Sequence, residues 1–152
     1  RLVGSEMCIR DSPKSAFGNT WNYPYYSVCT TSTHDMGGIR QWWEENRDKT
    51  QRFFNYMLGE GGAAPAFAEP WICEKIVDSN LKSPAMLCIL PLQDWLSIDG
   101  SIRREDPREE QINVPANPRH YWRYRMHLTL EDLLGEELFN KRVASLVESS
   151  GR

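Results

Sequence analysis

The sequence predicts an α/β fold, a parallel sheet covered by helices, on three observations. Tyr25 to Thr33, "YYSVCTTST", is rich in aromatic and β-branched residues and reads as a strand. Ala85 to Asp94, "AMLCILPLQD", is a short continuous apolar run that ends in polar residues, the pattern of a fully buried parallel strand. Two helical patterns stand between them, which is the βα alternation of a helix-covered sheet. With only two good strands, both would present unpaired edges, so the chain is expected to supply part of a sheet and to be incomplete in isolation.

Each element has its own signals. "RLVGSEMCIRDS", Arg1 to Ser12, has no initiator Met and neither period; it resembles translated adaptor sequence and is set aside as a non-native segment, a short strand around Leu2 and Val3 being the alternative. After the first strand come Gly37 and Gly38, then Ile39, Trp42 and Trp43 at helical spacing, with Phe53, Phe54, Met57 and Leu58 continuing the same face. The polar stretch between them, "EENRDKTQR", is either the solvated middle of one helix or a break between two. Gly59 to Ala66 is a loop on composition. Glu69-Pro70 opens the next helix with Pro in the first turn; Ile72, Ile76 and Val77 form its stripe, and Pro84 stops it near Ser83. Asp99 to Pro118 reads as a long loop with one helical turn. Thr129 with Asp132 can cap a final helix whose stripe is Leu133, Leu134, Leu138, Phe139, Arg142 by its stem, Val143, Leu146 and Val147.

Bulk properties narrow the function classes. A chain of 152 residues with a formal net charge of -3 lacks the basic excess of a broad nucleic-acid binder. Six tryptophans and six tyrosines are many for this length, and such rings fill cores or stack on ring-shaped ligands. Cys8, Cys29, Cys73 and Cys88 form no CxxC pair, so neither zinc nor another metal is expected, and scattered thiols suit a reducing, cytoplasmic setting. No apolar run is long enough to span a membrane, and no signal-peptide pattern is present, so no membrane partner is expected.

Two polar dyads end the strands, His34-Asp35 and Gln93-Asp94, at the end where parallel α/β folds bind ligands. By position alone His34-Asp35 is equally an N-cap beside a neutral histidine. A metal reading would need further ligands at suitable spacing, and none is visible. Asn117 to His127, "NPRHYWRYRMH", interleaves basic and aromatic residues, which suits stacking on single-stranded nucleic acid or on sugars. Yet Trp122, Tyr124 and Met126 alternate with Arg123 and Arg125, the period of a half-buried extended segment.

Five blocks in order, "SVCTTSTHDM", "IRQWWEE", "PWICEKIV", "LPLQDWLSID" and "INVPANPRHYWRYRMHLTLEDLL", resemble the 4-α-glucanotransferases of glycoside hydrolase family 77, the amylomaltases or disproportionating enzymes. The resemblance runs from about Pro13 to Arg152 and is nearest to the cytosolic plant-type branch and its bacterial relatives. It implies that residues 13–152 are the C-terminal portion of a (β/α)8 TIM barrel, its last two strands and their helices, with the rest of the barrel upstream. It implies retaining transfer of α-1,4-glucan segments between maltooligosaccharides or glucans, without a cofactor. Asp35 matches the carboxylate that stabilises the transition state, and His34 the histidine that binds sugar beside it. Asn113 matches a loop residue that contacts glucan, and Gln93 and Asp94 the polar end of the eighth strand, which is expected to bind substrate. The nucleophile and the acid/base have no match here, so the chain alone is expected to be inactive. Gly37-Gly38 stand where relatives often carry Ser-Thr. The rival reading is a non-catalytic piece that binds glucan or nucleic acid through the Arg-aromatic segment.

Overall fold

The structure, a computed structural model, describes residues 17–152, so the expectations for residues 1–12 lie outside the described residues. Strand β1 (Val28–Cys29) pairs in parallel with β2 (Leu87–Cys88), Val28 opposite Leu87 and Cys29 opposite Cys88. The two backbones also meet just outside the strands, where Met86 N–H donates to Tyr25 O at 2.7 Å and Ile89 N–H to Cys29 O at 3.0 Å. The strands are far shorter than the sequence suggested. After Cys29 the chain turns, Thr30 Oγ1 donating to Ser32 O at 2.7 Å and Met36 N–H to Thr33 O at 3.3 Å. After Cys88, Pro91 removes a ladder donor and the chain enters a helix. Nor is β2 fully buried: Met86, Leu87 and Ile89 are exposed, and among the described residues each strand pairs on one side only.

The long helical pattern is two helices, α1 (Ile39–Glu45) and α2 (Arg47–Tyr56). Asn46 lies between them in extended geometry, and its side chain accepts from Lys49 N–H, capping α2. Buried Thr50 closes the corner by donating to Trp43 O at 2.8 Å. Helix α3 (Pro70–Leu81) starts with Pro70 at its first position and buries Ile72, Ile76 and Val77, as its pattern predicted, and Leu81 besides. Arg152 ties this helix to the segment leading into β2, its guanidinium donating to Leu81 O and Ala85 O, both at 2.6 Å.

A short helix α4 (Leu92–Leu96) follows β2, and the long loop carries one 3-10 turn, Pro107–Glu110. Thr129 and Asp132 form a reciprocal capping box at the start of α5 (Leu130–Gly135). The chain kinks at Glu136 before α6 (Glu137–Ser149), so the predicted single helix is two. That kink splits the predicted stripe. Phe139 is buried and Leu133, Val143, Leu146 and Val147 pack on the core, whereas Leu134 and Leu138 face outward. The core itself gathers Trp43, Ile72, Val77, Leu96 and Ile98 between α1, α3, α4 and α6, each at most 1% exposed. It leaves the loop after β1 and the long loop together on one face.

Candidate active site

The loop from Thr30 to Gly38 carries the sequence's first candidate residues, and a buried carboxylate shapes it from below. Thr31 and Ser32 donate their hydroxyls to Asp94 Oδ2 at 2.5 and 2.6 Å, and Ile39 N–H donates to Asp94 Oδ1 at 2.8 Å. Gly38, the N-cap residue of α1, has no side chain to accept that amide; Asp94 supplies the acceptor from 55 residues away. A Cβ on Gly38 would stand 2.6 Å from Asp94 Oδ1, which accounts for glycine there. Burial pushes the Asp94 carboxyl above its usual range, while Ser32, Thr31 and the Ile39 amide act the other way by bonding the charged form.

With that amide taken, Asp35 caps nothing. Its side chain is 53% exposed, and Oδ1 accepts from Asn113 Nδ2 at 2.7 Å and lies 3.3 Å from His34 Nε2. Among the described residues no donor reaches Asp35 Oδ2. Asn113 also donates its backbone N–H to His34 O at 3.0 Å, so one residue of the long loop grips both members of the dyad. The Trp122 ring lies over His34, centroids 5.0 Å apart. Trp122 is 63% exposed, against the half-burial its alternation suggested, while Tyr124 and Met126 are half-buried as expected.

The structure thus brings His34, Asp35 and Asn113 together at one open surface. Gln93 and Asp94 sit behind it, which corrects the expectation of a polar strand end. Both fall in the first turn of α4 and both are buried. Gln93 Nε2 donates to Glu110 O at 3.3 Å, and its side chain lines a cavity of about 40 Å³ shared with Ser32, His34 and Glu110. Beneath the long loop Arg40 and Glu110 form a buried pair at 3.2 Å. Burial pushes the Glu110 carboxyl up to about 7, against the pull of Arg40.

No local signal in the sequence marks Gln111, Arg40 or Glu110 as part of this region. Their contacts join positions about 70 residues apart, and no local period encodes such a pairing. Among the described residues no cluster of three or more His, Cys, Asp or Glu could hold a metal ion, and no helix is long and apolar enough to cross a membrane.

A profile of the family described as 4-alpha-glucanotransferase matches residues 5–130. The chain is 38% identical over 140 residues to the 4-alpha-glucanotransferase DPE2 of Oryza sativa subsp. japonica, a match covering 92% of this chain and 15% of that protein. It is 29% identical over 121 residues to the 4-alpha-glucanotransferase of Aquifex aeolicus, covering 79% of this chain and 21% of the relative. In three dimensions it resembles an amylomaltase from Streptococcus agalactiae solved in complex with acarbose, with a TM-score of 0.70 at 20% identity, over 97% of this chain and 26% of the other. At that identity the likeness is one of fold. The chain spans about a sixth to a quarter of the length of these relatives.

Proposed function

We propose a function from one premise: the chain belongs to the 4-alpha-glucanotransferase family. It is a segment of an enzyme that moves α-1,4-glucan segments between maltooligosaccharides or glucans with retention of configuration. Its fold is the last two strands and helices of a (β/α)8 barrel, a reading supported by the parallel pair β1 and β2 and by the fold likeness to an amylomaltase. The loops after barrel strands form the active face of such folds, and His34, Asp35 and Asn113 share that position.

The observation that carries the reading is the Asp35 carboxylate, free of any capping duty and fixed by Asn113 on one oxygen. Retaining transfer needs two more carboxyl groups about 5 Å apart, a nucleophile and an acid/base, which the rest of the enzyme supplies. As the glycosidic bond breaks, positive charge develops on the sugar. A carboxylate held in place beforehand stabilises that charge without reorganising at the moment of reaction. Asp35 is this third carboxylate. His34, braced by Asn113 and Trp122, bonds a sugar hydroxyl beside it, and the open face of Trp122 offers a flat apolar surface to a glucose ring.

Transfer prevails over hydrolysis when an acceptor hydroxyl reaches the glycosyl-enzyme before water does, so walls that exclude water favour it. Asn113 contacts glucan from the long loop, whereas Gln93 and Asp94 act from beneath by holding the loops in place. The acarbose complex of the amylomaltase supports a glucan-like ligand here. The unoxidised thiols of Cys29 and Cys73 suit a cytoplasmic enzyme.

The test is disproportionation of maltotriose by the full-length protein that carries this segment, followed as release of glucose and longer maltooligosaccharides. Hydrolysis without chain lengthening would refute the transfer assignment, and the segment purified alone should release neither.

A further inference from the structure

The long loop is joined to α1 by a second set of contacts that the mechanism above does not use. Arg40, 6% exposed, pairs with Glu110 and donates to Arg104 O at 2.6 Å and Glu105 O at 2.8 Å. Its neighbour Gln41 donates from Nε2 to Gln111 Oε1 at 3.0 Å. Gln111 Nε2 donates in turn to Asn113 O at 2.9 Å. Asn113 Nδ2 then reaches Asp35 Oδ1 at 2.7 Å. A helix is thereby connected to the candidate catalytic carboxylate through two loop residues.

The order of these contacts has a chemical logic. Residues 111–113 lie in neither helix nor strand, so beyond the Asn113 N–H bond to His34 O no ladder of backbone bonds fixes the direction of the Asn113 side chain. Gln111 fixes it instead, one end of its amide held by a helix and the other holding the peptide that follows Asn113. Without that hold Asn113 can swing away, and a carboxylate that loses its one strong donor no longer presents its charge in a single orientation.

We propose that Gln111, held by Gln41, is a positioning residue for glucan transfer, fixing Asn113 against Asp35. The proposal rests on the reading of Asp35 as the transition-state stabiliser. Both ends of the Gln111 amide are engaged by protein, so it acts through Asn113 and does not touch glucan.

The experiment uses the full-length protein with Gln111→Ala, Gln111→Glu, Asn113→Ala and the Gln111→Ala/Asn113→Ala double variant. None of these touches the buried Arg40–Glu110 pair, and circular dichroism checks that each has folded. Gln111→Glu keeps the acceptor for Gln41 but lacks the donor to Asn113, so it separates the lost bond from lost bulk. Both Gln111 variants should lower kcat for maltotriose on the order of tenfold with KM nearly unchanged, the pattern of a group that acts on the transition state. The double variant should be no slower than Asn113→Ala, because both changes remove one interaction. A crystal structure of Gln111→Ala should show the Asn113 side chain withdrawn from Asp35. Additive losses, a change in KM alone, or an undisturbed Asn113 with full activity would overturn the proposal while leaving the enzyme a glucanotransferase. An unmodified protein that transfers no glucan would instead overturn the function, and with it the catalytic consequence claimed for Gln111.

Discussion

The Ile39 amide donates to Asp94 Oδ1 at 2.8 Å, so the first turn of α1 is completed by a carboxylate in α4. The other oxygen of that carboxylate holds Thr31 and Ser32, the two residues that lead into Thr33 and the His34-Asp35 dyad. One buried side chain therefore sets both the loop before the candidate site and the helix after it. Asp35 is free to face outward because Asp94 does the capping.

Asp94→Ala should therefore be costly. It strands two buried hydroxyls and the Ile39 amide, and each unsatisfied buried donor costs about 1–3 kcal/mol. We expect a loss of about 3 kcal/mol or more, read as a lower denaturant midpoint with an unchanged slope. Asp94→Asn keeps an acceptor for Ile39, and the two hydroxyls can rotate to accept from its amide, so it should lose less than half as much. Equal losses in the two variants would show that charge, not hydrogen bonding, is what Asp94 contributes.

Gly38 offers an independent check on the same contact. Its φ of -67 is open to any residue, so Gly38→Ala carries no conformational penalty. The added Cβ would instead meet Asp94 Oδ1 at 2.6 Å, and that oxygen is already held by Ile39. A cost of about 1–3 kcal/mol is expected, the range for overpacking a fixed interior. Combined with Asp94→Ala, which removes the obstructing oxygen, most of that cost should vanish in a double-mutant cycle.

What was legible in the sequence was local or came in linked blocks. Pro70 and Pro84 bracket α3 through backbone geometry alone, and the Thr129-Asp132 box spans a single turn. Asp35 stood out because five blocks in order resembled a family, not because its own surroundings excluded a cap. The exclusion came from Asp94, 55 residues from the amide it accepts, and no period in the chain encodes such a contact. The apolar run before Asp94 has the pattern of a full strand and so predicts Asp94 at its open end, whereas Pro91 turns the chain into α4 first. Leu134 and Leu138 fit a helical stripe, but the kink at Glu136 turns them outward. Trp122 fitted an alternation that only a paired, extended segment would have enforced, and the chain around it is irregular.

Glu110 should make stability depend on pH. Burial raises its carboxyl in the folded state to about 7, above the ordinary value near 4.5 that it takes when unfolded. Between those values the folded state binds more protons than the unfolded one, so stability falls as pH rises. The contribution is fully present below the unfolded value and is lost as pH passes through about 7. Denaturation midpoints across roughly pH 4 to pH 8 should therefore decline in the unmodified protein and decline less in Glu110→Gln. Identical slopes would mean that Glu110 stays charged at the lower pH, its pairing with Arg40 outweighing its burial.

Asp35→Asn should show the opposite division between activity and stability from Asp94. The Asp35 side chain is half exposed and, among the described residues, bonded on one oxygen only, and an asparagine oxygen can accept from Asn113 in the same way. The fold should therefore lose less than about 0.5 kcal/mol, as is usual for an exposed position. The reaction loses more, because an amide carries no charge to set against the developing oxocarbenium ion. Removing one preorganised electrostatic contact commonly costs about 100- to 1,000-fold in kcat, and a full charge at the reacting sugar should lie at or beyond the upper end. In the full-length protein we expect kcat for maltotriose disproportionation to fall roughly a thousandfold or more, with KM changed only a fewfold. If the variant binds and turns over maltotriose normally, Asp35 is not the stabilising carboxylate. If it loses stability and activity together, Asp35 belongs with Asp94 among the residues that hold the loop.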